Sequence, residues 1–282
     1  MSAPDLEKLR AAQWRNWNEV SGPKWVAYAA LMERRLAPVD EALLAAARPR
    51  PGEAVLEIGT GSGATTEAVL AKIGPEGRLL GVDISAPLLE RARARLLPLH
   101  HPGLELRQAN AETDPLPEAA FDLVLSRFGV MFFADPVVAF RRFRSALRPA
   151  GRLVFAAWAG LAENPHWERP FAIARAHLGE PTPRPPRAPG PLAFSDPAYV
   201  EEILARAGFQ AISVTPLPLT LGEGSLDEEV ELALRFGPSG ALVEEKRPDP
   251  ATFERLQRAM REALGRDAKP PRATILIVRA AP

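Results

Sequence analysis

Val55-Leu56-Glu57-Ile58-Gly59-Thr60-Gly61-Ser62-Gly63-Ala64 joins an apolar run of strand length, residues 54–58, to a helical stretch through three alternating glycines. The helix signals run over residues 64–73 and stop at Gly74-Pro75. Glycines between a buried strand and a helix let the backbone turn tightly and approach a ligand closely, at the carboxyl edge where open α/β sheets bind cofactors. A plain tight turn needs no acid at Glu57 and none about twenty residues on at Asp83, so the stretch reads as a binding loop.

On either side of this loop, strand and helix alternate. Residues 78–84 read as a second strand, and Ser85 caps a helix to about Leu97 with Leu88, Leu89, Ala92 and Leu96 on one face. Residues 104–110 and 121–128 read as the third and fourth strands, and Asp135-Pro136 sets a cap and an N1 proline before a helix to Leu147. Pro149-Ala150-Gly151 turns into a fifth strand over 152–158. Residues 164–179, 197–207, 225–236 and 250–264 read as helices, and 181–191 as an extended proline-rich connection. Pro216 and Pro218 make 209–221 a strand near the sheet edge, and 274–279 is a short terminal strand. The fold class is therefore α/β, a doubly wound, mostly parallel seven-stranded sheet with helical cap segments. Residues 1–282 read as one domain: an N-terminal helical lid (1–47), a cofactor-binding core (48–158), and a C-terminal half (159–282) with cap insertions and the last strands.

Composition narrows the chemistry. The 282 residues contain no cysteine, which removes disulfides, thiolate-bound metals and thiol nucleophiles, and fits a cytoplasmic setting. Zero formal net charge argues against a sequence-independent nucleic-acid binder. No apolar run approaches the roughly 20 residues of a membrane helix. Thirty arginines against five lysines, with 30 prolines, suggest a GC-rich genome or a thermostable protein and say nothing about function.

Two cofactor classes compete for the glycine loop. As Gly59-x-Gly61-x-x-Ala64 with Asp83 downstream, it satisfies the dinucleotide pattern. As Glu57-x-Gly59-x-Gly61-x-Gly63, it resembles the first motif of class I S-adenosylmethionine-dependent methyltransferases, and further landmarks follow in order. Gly81-Val82-Asp83-Ile84-Ser85 resembles their second-strand motif, Ala109-Asn110-Ala111-Glu112 the loop after the third strand, and Phe121-Asp122-Leu123-Val124-Leu125-Ser126-Arg127-Phe128 the fourth strand. Leu147-Arg148-Pro149-Ala150-Gly151-Arg152-Leu153 resembles the turn into the fifth. The wording is most similar to the ubiquinone- and menaquinone-type methyltransferases.

That resemblance implies S-adenosylmethionine as cofactor, lying against Glu57, Gly59, Thr60, Gly61, Gly63, Asp83, Ile84, Asn110, Ala111, Glu112, Ser126, Arg127 and Phe128. Asp83 would accept from both ribose hydroxyls, and the 110–112 loop would hold the adenine edge. Asn110 stands where the family more often has Asp; a neutral amide oxygen still accepts a hydrogen bond from the adenine amino group. The implied activity is methyl transfer to oxygen, carbon or nitrogen of a small, partly apolar molecule. Because positioning alone lowers the barrier of an in-line displacement, a general base is optional. His166, just after the fifth strand, and Tyr28 are the candidates for one, and Trp25 and Met131 for acceptor contacts. No metal site is expected, a nucleic-acid partner is not expected, and a homodimer is left open.

Two other readings stay in view. A nicotinamide oxidoreductase lacks support from Tyr28 and Tyr199, neither of which has a lysine four residues on. A non-catalytic adenosylmethionine-binding module fits the lack of an obvious base. Among methyl acceptors, pyrimidine C5 chemistry needs a cysteine the chain does not have, and Ser126-Arg127-Phe128-Gly129 departs from the Asn/Asp-Pro-Pro-aromatic motif of base N-methylation.

Overall fold

Short Val-, Leu- and Ile-rich runs alternating with helices fit strands of a sheet covered by helices. In the computed structural model, which describes residues 3–266 and 270–282, they are β1 (Ala54–Ile58), β2 (Arg78–Asp83), β3 (Leu104–Gln108), β4 (Phe121–Arg127), β5 (Leu147–Trp158), β6 (Gln210–Thr220) and β7 (Arg272–Ala281). Among the described residues they form one sheet in the order β3-β2-β1-β4-β5-β7-β6, parallel from β3 to β5, with β7 antiparallel between β5 and β6. Chain order reverses direction between β1 and β4, which opens the crevice where such sheets bind ligands.

β5 starts well before the sequence reading places it, and every other strand differs from that reading by at most two residues at an end. Phe121 pairs with Leu147 before the register shifts to Leu123 opposite Arg152, so Pro149-Ala150-Gly151 is a bulge inside β5 rather than a turn before it. β7 is also longer than the 274–279 run, because β6 pairs along nearly its whole length. Pro216 and Pro218 lie on β6, the edge strand, where the lost N–H groups leave no interior ladder broken.

The helices are α1 (Ala3–Arg15), α2 (Ser21–Ala27), α3 (Ala29–Ala47), α4 (Ala64–Ile73), α5 (Ala86–Leu96), α6 (Pro136–Ala146), α7 (Pro165–Leu178), α8 (Pro197–Ala207), α9 (Leu226–Arg235), α10 (Gly237–Lys246) and α11 (Pro250–Gly265). A π-helical turn, Asn16–Val20, joins α1 to α2. Ser85 caps α5 through the Leu88 amide at 3.4 Å, Asp135 caps α6 through Val138 at 3.1 Å, and Ser225 with Glu228 forms a capping box on α9. α10 escapes the sequence reading because Gly237-Pro238-Ser239-Gly240 looks like a loop, whereas Pro238 occupies a first-turn position where its missing N–H costs nothing.

Within the N-terminal 47 residues, α3 packs differently from the two helices before it. Leu36, Val39, Leu43, Leu44 and Ala47 of α3 are buried in the main core with the sheet, while α1 and α2 line the crevice through Arg10, Gln13, Lys24 and Trp25. The C-terminal half also divides. α8, β6 and β7 complete the sheet layer, while Ala174, Val230, Leu234, Leu242, Leu256 and Met260 of α7, α9, α10 and α11 make a second apolar core, that of the cap. Among the described residues no helix is long and apolar enough to cross a membrane.

Candidate active site

The glycine loop leaves β1 with Gly59 at φ 76° and Gly61 at φ 57°, a left-handed backbone that glycine adopts without steric cost. A Cβ on Gly59 would stand 2.8 Å from Cα of Gly129, just beyond β4, so the loop is packed backbone to backbone on one side. On the other side, a Cβ on Gly61 would meet no heavy atom closer than 4.0 Å. There a cavity of about 1020 Å³ opens, lined by both glycines and reaching to the cap. That is the top of the roughly 300–1,000 Å³ range of small-molecule pockets, enough for a nucleoside cofactor and a second molecule.

Asp83 ends β2 at the cavity wall. Its carboxylate accepts from the Gly61 amide and the Ser85 amide, each at 2.8 Å, fixing the glycine loop to the next strand end. Burial pushes its pKa up, against the lowering effect of those amides. Ile84 lines the cavity beside it, and Asn110, Ala111 and Glu112 line it after β3. Asn110 spends its side-chain oxygen on the Glu112 amide at 3.0 Å, closing its own turn. The Glu112 carboxylate is buried and accepts from Arg10 at 2.6 Å, from the Ala134 amide at 2.8 Å and from the Asp135 amide at 3.2 Å. Glu112 thus clips α1 to the core at the rim of the cavity. From β4, Arg127 pairs with Asp40 of α3, and Phe128 stacks on Trp158 with ring centroids 4.3 Å apart.

Several residues named from the sequence do not line the cavity. Glu57 lies beneath the loop, accepting from the Thr66 hydroxyl, and burial raises its pKa to about 8. Thr60 turns back over β2, where a Cβ on Gly81 would come within 2.6 Å of its hydroxyl oxygen. Gly63 serves helix packing, since a Cβ there would stand 2.9 Å from Cδ1 of Leu96. Ser126 donates to the Ile58 carbonyl at 2.7 Å and ties β4 to β1. Tyr28 is also outside the lining and donates its hydroxyl to Glu231, which raises its pKa. For the residues of the glycine loop and its flanking strands, a motif marks the stretch of chain, and the direction of each side chain within it is settled by the packing beneath.

Trp25, Met131 and His166 do line the cavity. His166 sits in an aromatic group, its ring centroid 5.4 Å from Trp158 and 5.0 Å from Trp167. Its Nδ1 is 3.2 Å from the Arg272 carbonyl oxygen; a carbonyl only accepts, so Nδ1 carries the hydrogen and Nε2 is the nitrogen with the free lone pair. Burial, helped by the charge of Arg35, lowers its pKa to about 3, so the ring is neutral at pH 7.

Sequence reasoning did not single out Arg10, Gln13, Glu33, Arg35, Glu229 and Phe236. Phe236 is set edge-on to both Trp25 and Tyr28, at 5.4 Å from each, and Arg35 forms a two-pronged ion pair with Glu229. Glu33 of α3 accepts from Ser62 of the glycine loop at 3.1 Å and from Arg95 at 2.8 Å. Arg10, Gln13 and Trp17 share one face and line the cavity. Their i, i+3, i+7 spacing was visible in the sequence, but which surface it would meet was not.

The methyltransferase domain family matches residues 56–155. Among curated proteins, the chain is 35% identical over 124 residues to aklanonic acid methyltransferase of Streptomyces sp. strain C5, covering 44% of this chain and 53% of that protein. It is 39% identical over 107 residues to a ubiquinone/menaquinone biosynthesis C-methyltransferase of Hahella chejuensis, covering 37% and 43%. It is 26% identical over 185 residues to nocamycin O-methyltransferase of Saccharothrix syringae, covering 61% and 64%. The chain spans about half the length of the first two relatives. Among solved structures, a chain in the complex between the Haloferax volcanii Trm112 methyltransferase activator and the putative methyltransferase shares the fold at TM-score 0.57 and 20% identity, over 92% of this chain and 95% of that one. Haemonchus contortus phosphoethanolamine N-methyltransferase 2, solved with S-adenosylhomocysteine, shares it at TM-score 0.54 and 17% identity, over 86% and 52%.

Proposed function

We propose that residues 56–155, which match the methyltransferase domain family, are a class I S-adenosylmethionine-dependent methyltransferase domain, and that the chain transfers a methyl group from S-adenosylmethionine to oxygen, carbon or nitrogen of a small, partly apolar acceptor. The observation that carries this reading is the Asp83 carboxylate at the wall of a cavity large enough for two ligands, next to a glycine loop with open space over Gly61. These residues fit the cofactor. Asp83 receives the ribose hydroxyls, the backbone at Gly59 and Gly61 admits the amino-acid tail, and Ile84 and Ala111 offer apolar contact to the adenine. When bound, the cofactor supplies an activated methyl group on a cationic sulfur.

The chain's own part is positioning and exclusion of water. Phe128, Trp158 and Trp167 form an aromatic wall, and neutral His166 presents Nε2 as a hydrogen-bond acceptor that orients an acceptor hydroxyl or amine; with its pKa lowered to about 3 it positions that group and does not hold its proton. That three relatives are named for aklanonic acid, for ubiquinone and menaquinone biosynthesis, and for nocamycin supports a small-molecule acceptor.

The test is calorimetric titration of the purified chain with S-adenosylmethionine, S-adenosylhomocysteine, NADH and NADPH. Micromolar binding of the adenosyl ligands alone is expected, weakened about 10- to 100-fold in Asp83→Ala by loss of hydrogen bonds to a charged group. Binding of the nicotinamide ligands alone, or of none of the four, overturns the proposal.

A further inference from the structure

The buried side-chain oxygen Oε1 of Gln13 has no hydrogen-bond partner, and Gln13 lines the cavity. Its surroundings are fixed on both sides. One turn earlier on the same helix face, Arg10 is held on Glu112, the residue that follows Asn110-Ala111 in the loop after β3. One turn later, the Trp17 carbonyl accepts from Ser85 at 2.7 Å, and Asn18 spans the Ile84 carbonyl at 3.1 Å and the Ala86 amide at 2.9 Å, in the loop after β2. The Trp17 ring meets Phe132 edge-on at 5.0 Å. Gln13 is therefore suspended between the two strand-end loops that flank the nucleoside half of the cavity, with an idle acceptor.

Asn110, the side chain expected to accept from the adenine amino group, has committed its oxygen to the Glu112 amide. A buried amide oxygen left without a partner is costly unless a ligand completes it. A carboxamide matches the adenine edge, where an amino donor stands beside ring-nitrogen acceptors. We propose that Gln13, contributed by the N-terminal cover, reads the adenine of the cofactor, its Oε1 accepting a hydrogen bond from the exocyclic amino group. This rests on the adenosylmethionine reading above. It makes the cover part of the binding site, so nucleobase selectivity depends on α1 being docked.

The probes are S-adenosylhomocysteine and its analogue with a hydrogen in place of the purine amino group, titrated calorimetrically into the full chain. The wild type binds the analogue about tenfold more weakly, the loss of one hydrogen bond. Gln13→Met, which keeps length and helix propensity, binds S-adenosylhomocysteine about tenfold more weakly and no longer distinguishes the two ligands, with a thermal midpoint no lower than that of the wild type. Gln13→Leu serves as a second apolar replacement and gives the same loss of discrimination. A variant that still prefers the amino ligand tenfold overturns the Gln13 assignment and leaves the cofactor reading intact. A wild type that binds neither ligand overturns the cofactor reading, and this inference with it.

Discussion

Glu57→Gln removes a titration and almost no volume. Glu57 is 1% exposed in the middle of β1, and its carboxyl group accepts from Thr66. Burial dominates its environment and raises its pKa from 4.5 to about 8, outweighing the Thr66 hydrogen bond and the charge of Arg127. In the unfolded chain the same group ionises near 4.5. Between those values the folded state holds one more proton than the unfolded state, so stability falls as pH rises, by about 1.36 kcal/mol per pH unit. The stabilising protonation is fully present below pH 4.5 and lost as pH passes through about 8. Over that window the loss reaches at most about 5 kcal/mol. A glutamine at this position keeps an oxygen for Thr66 and has no charge to bury. The two chains should therefore agree within about 1 kcal/mol at pH 5, and the variant should be more stable by about 3–5 kcal/mol at pH 8.5. Urea unfolding at half-unit steps from pH 5 to 8.5 measures this, and the difference between chains cancels every other titrating group. A difference that does not change with pH, or a variant less stable at pH 8, would mean that Glu57 is ionised in the folded protein and held by Arg127.

The two loop glycines should separate fold from binding. Gly59→Ala, with φ 76° and backbone 2.8 Å from the new Cβ, should cost more than about 2 kcal/mol of stability. Gly61→Ala should cost only about 1 kcal/mol yet weaken S-adenosylhomocysteine binding, because its methyl enters the cavity; thermal melts and calorimetry on both variants check the split. His166 behaves oppositely to Glu57. Its pKa, lowered from 6.5 to about 3, leaves the folded state short of a proton, so the stability it contributes is present above pH 6.5 and lost as pH falls. His166→Gln should therefore lose about 3 kcal/mol less than the wild type between pH 6.5 and pH 4 in the same unfolding series, and parallel curves would place a charged imidazole in the cavity.

Much of this protein could be read before any coordinates. The alternation of short apolar runs with capped helices, the glycines at 59, 61 and 63, and the acid at Asp83 are local signals, each set by backbone sterics or by the period of burial within one element. They were enough for the sheet, for the position of the crevice and for Asp83, Ile84, Asn110 and Ala111 at its wall. Glu57, Thr60 and Ser126 belong to the same motifs, but their side chains point into the packing under the loop, as a side chain on Gly63 would, and no local rule gives that direction. The wall facing the crevice was less legible still. Arg35 meets Glu229, and Phe236 meets Trp25 and Tyr28, across about two hundred residues of sequence, and such pairings depend on how α3 and the cap helices lie over one sheet. Sequence by itself determined the strands, the helices and the glycine loop, since each is marked by burial period, caps or backbone sterics within one stretch of chain. Only the tertiary structure decided which side chains face the cavity, because long-range packing sets their burial, their partners and, for Glu57 and His166, their protonation.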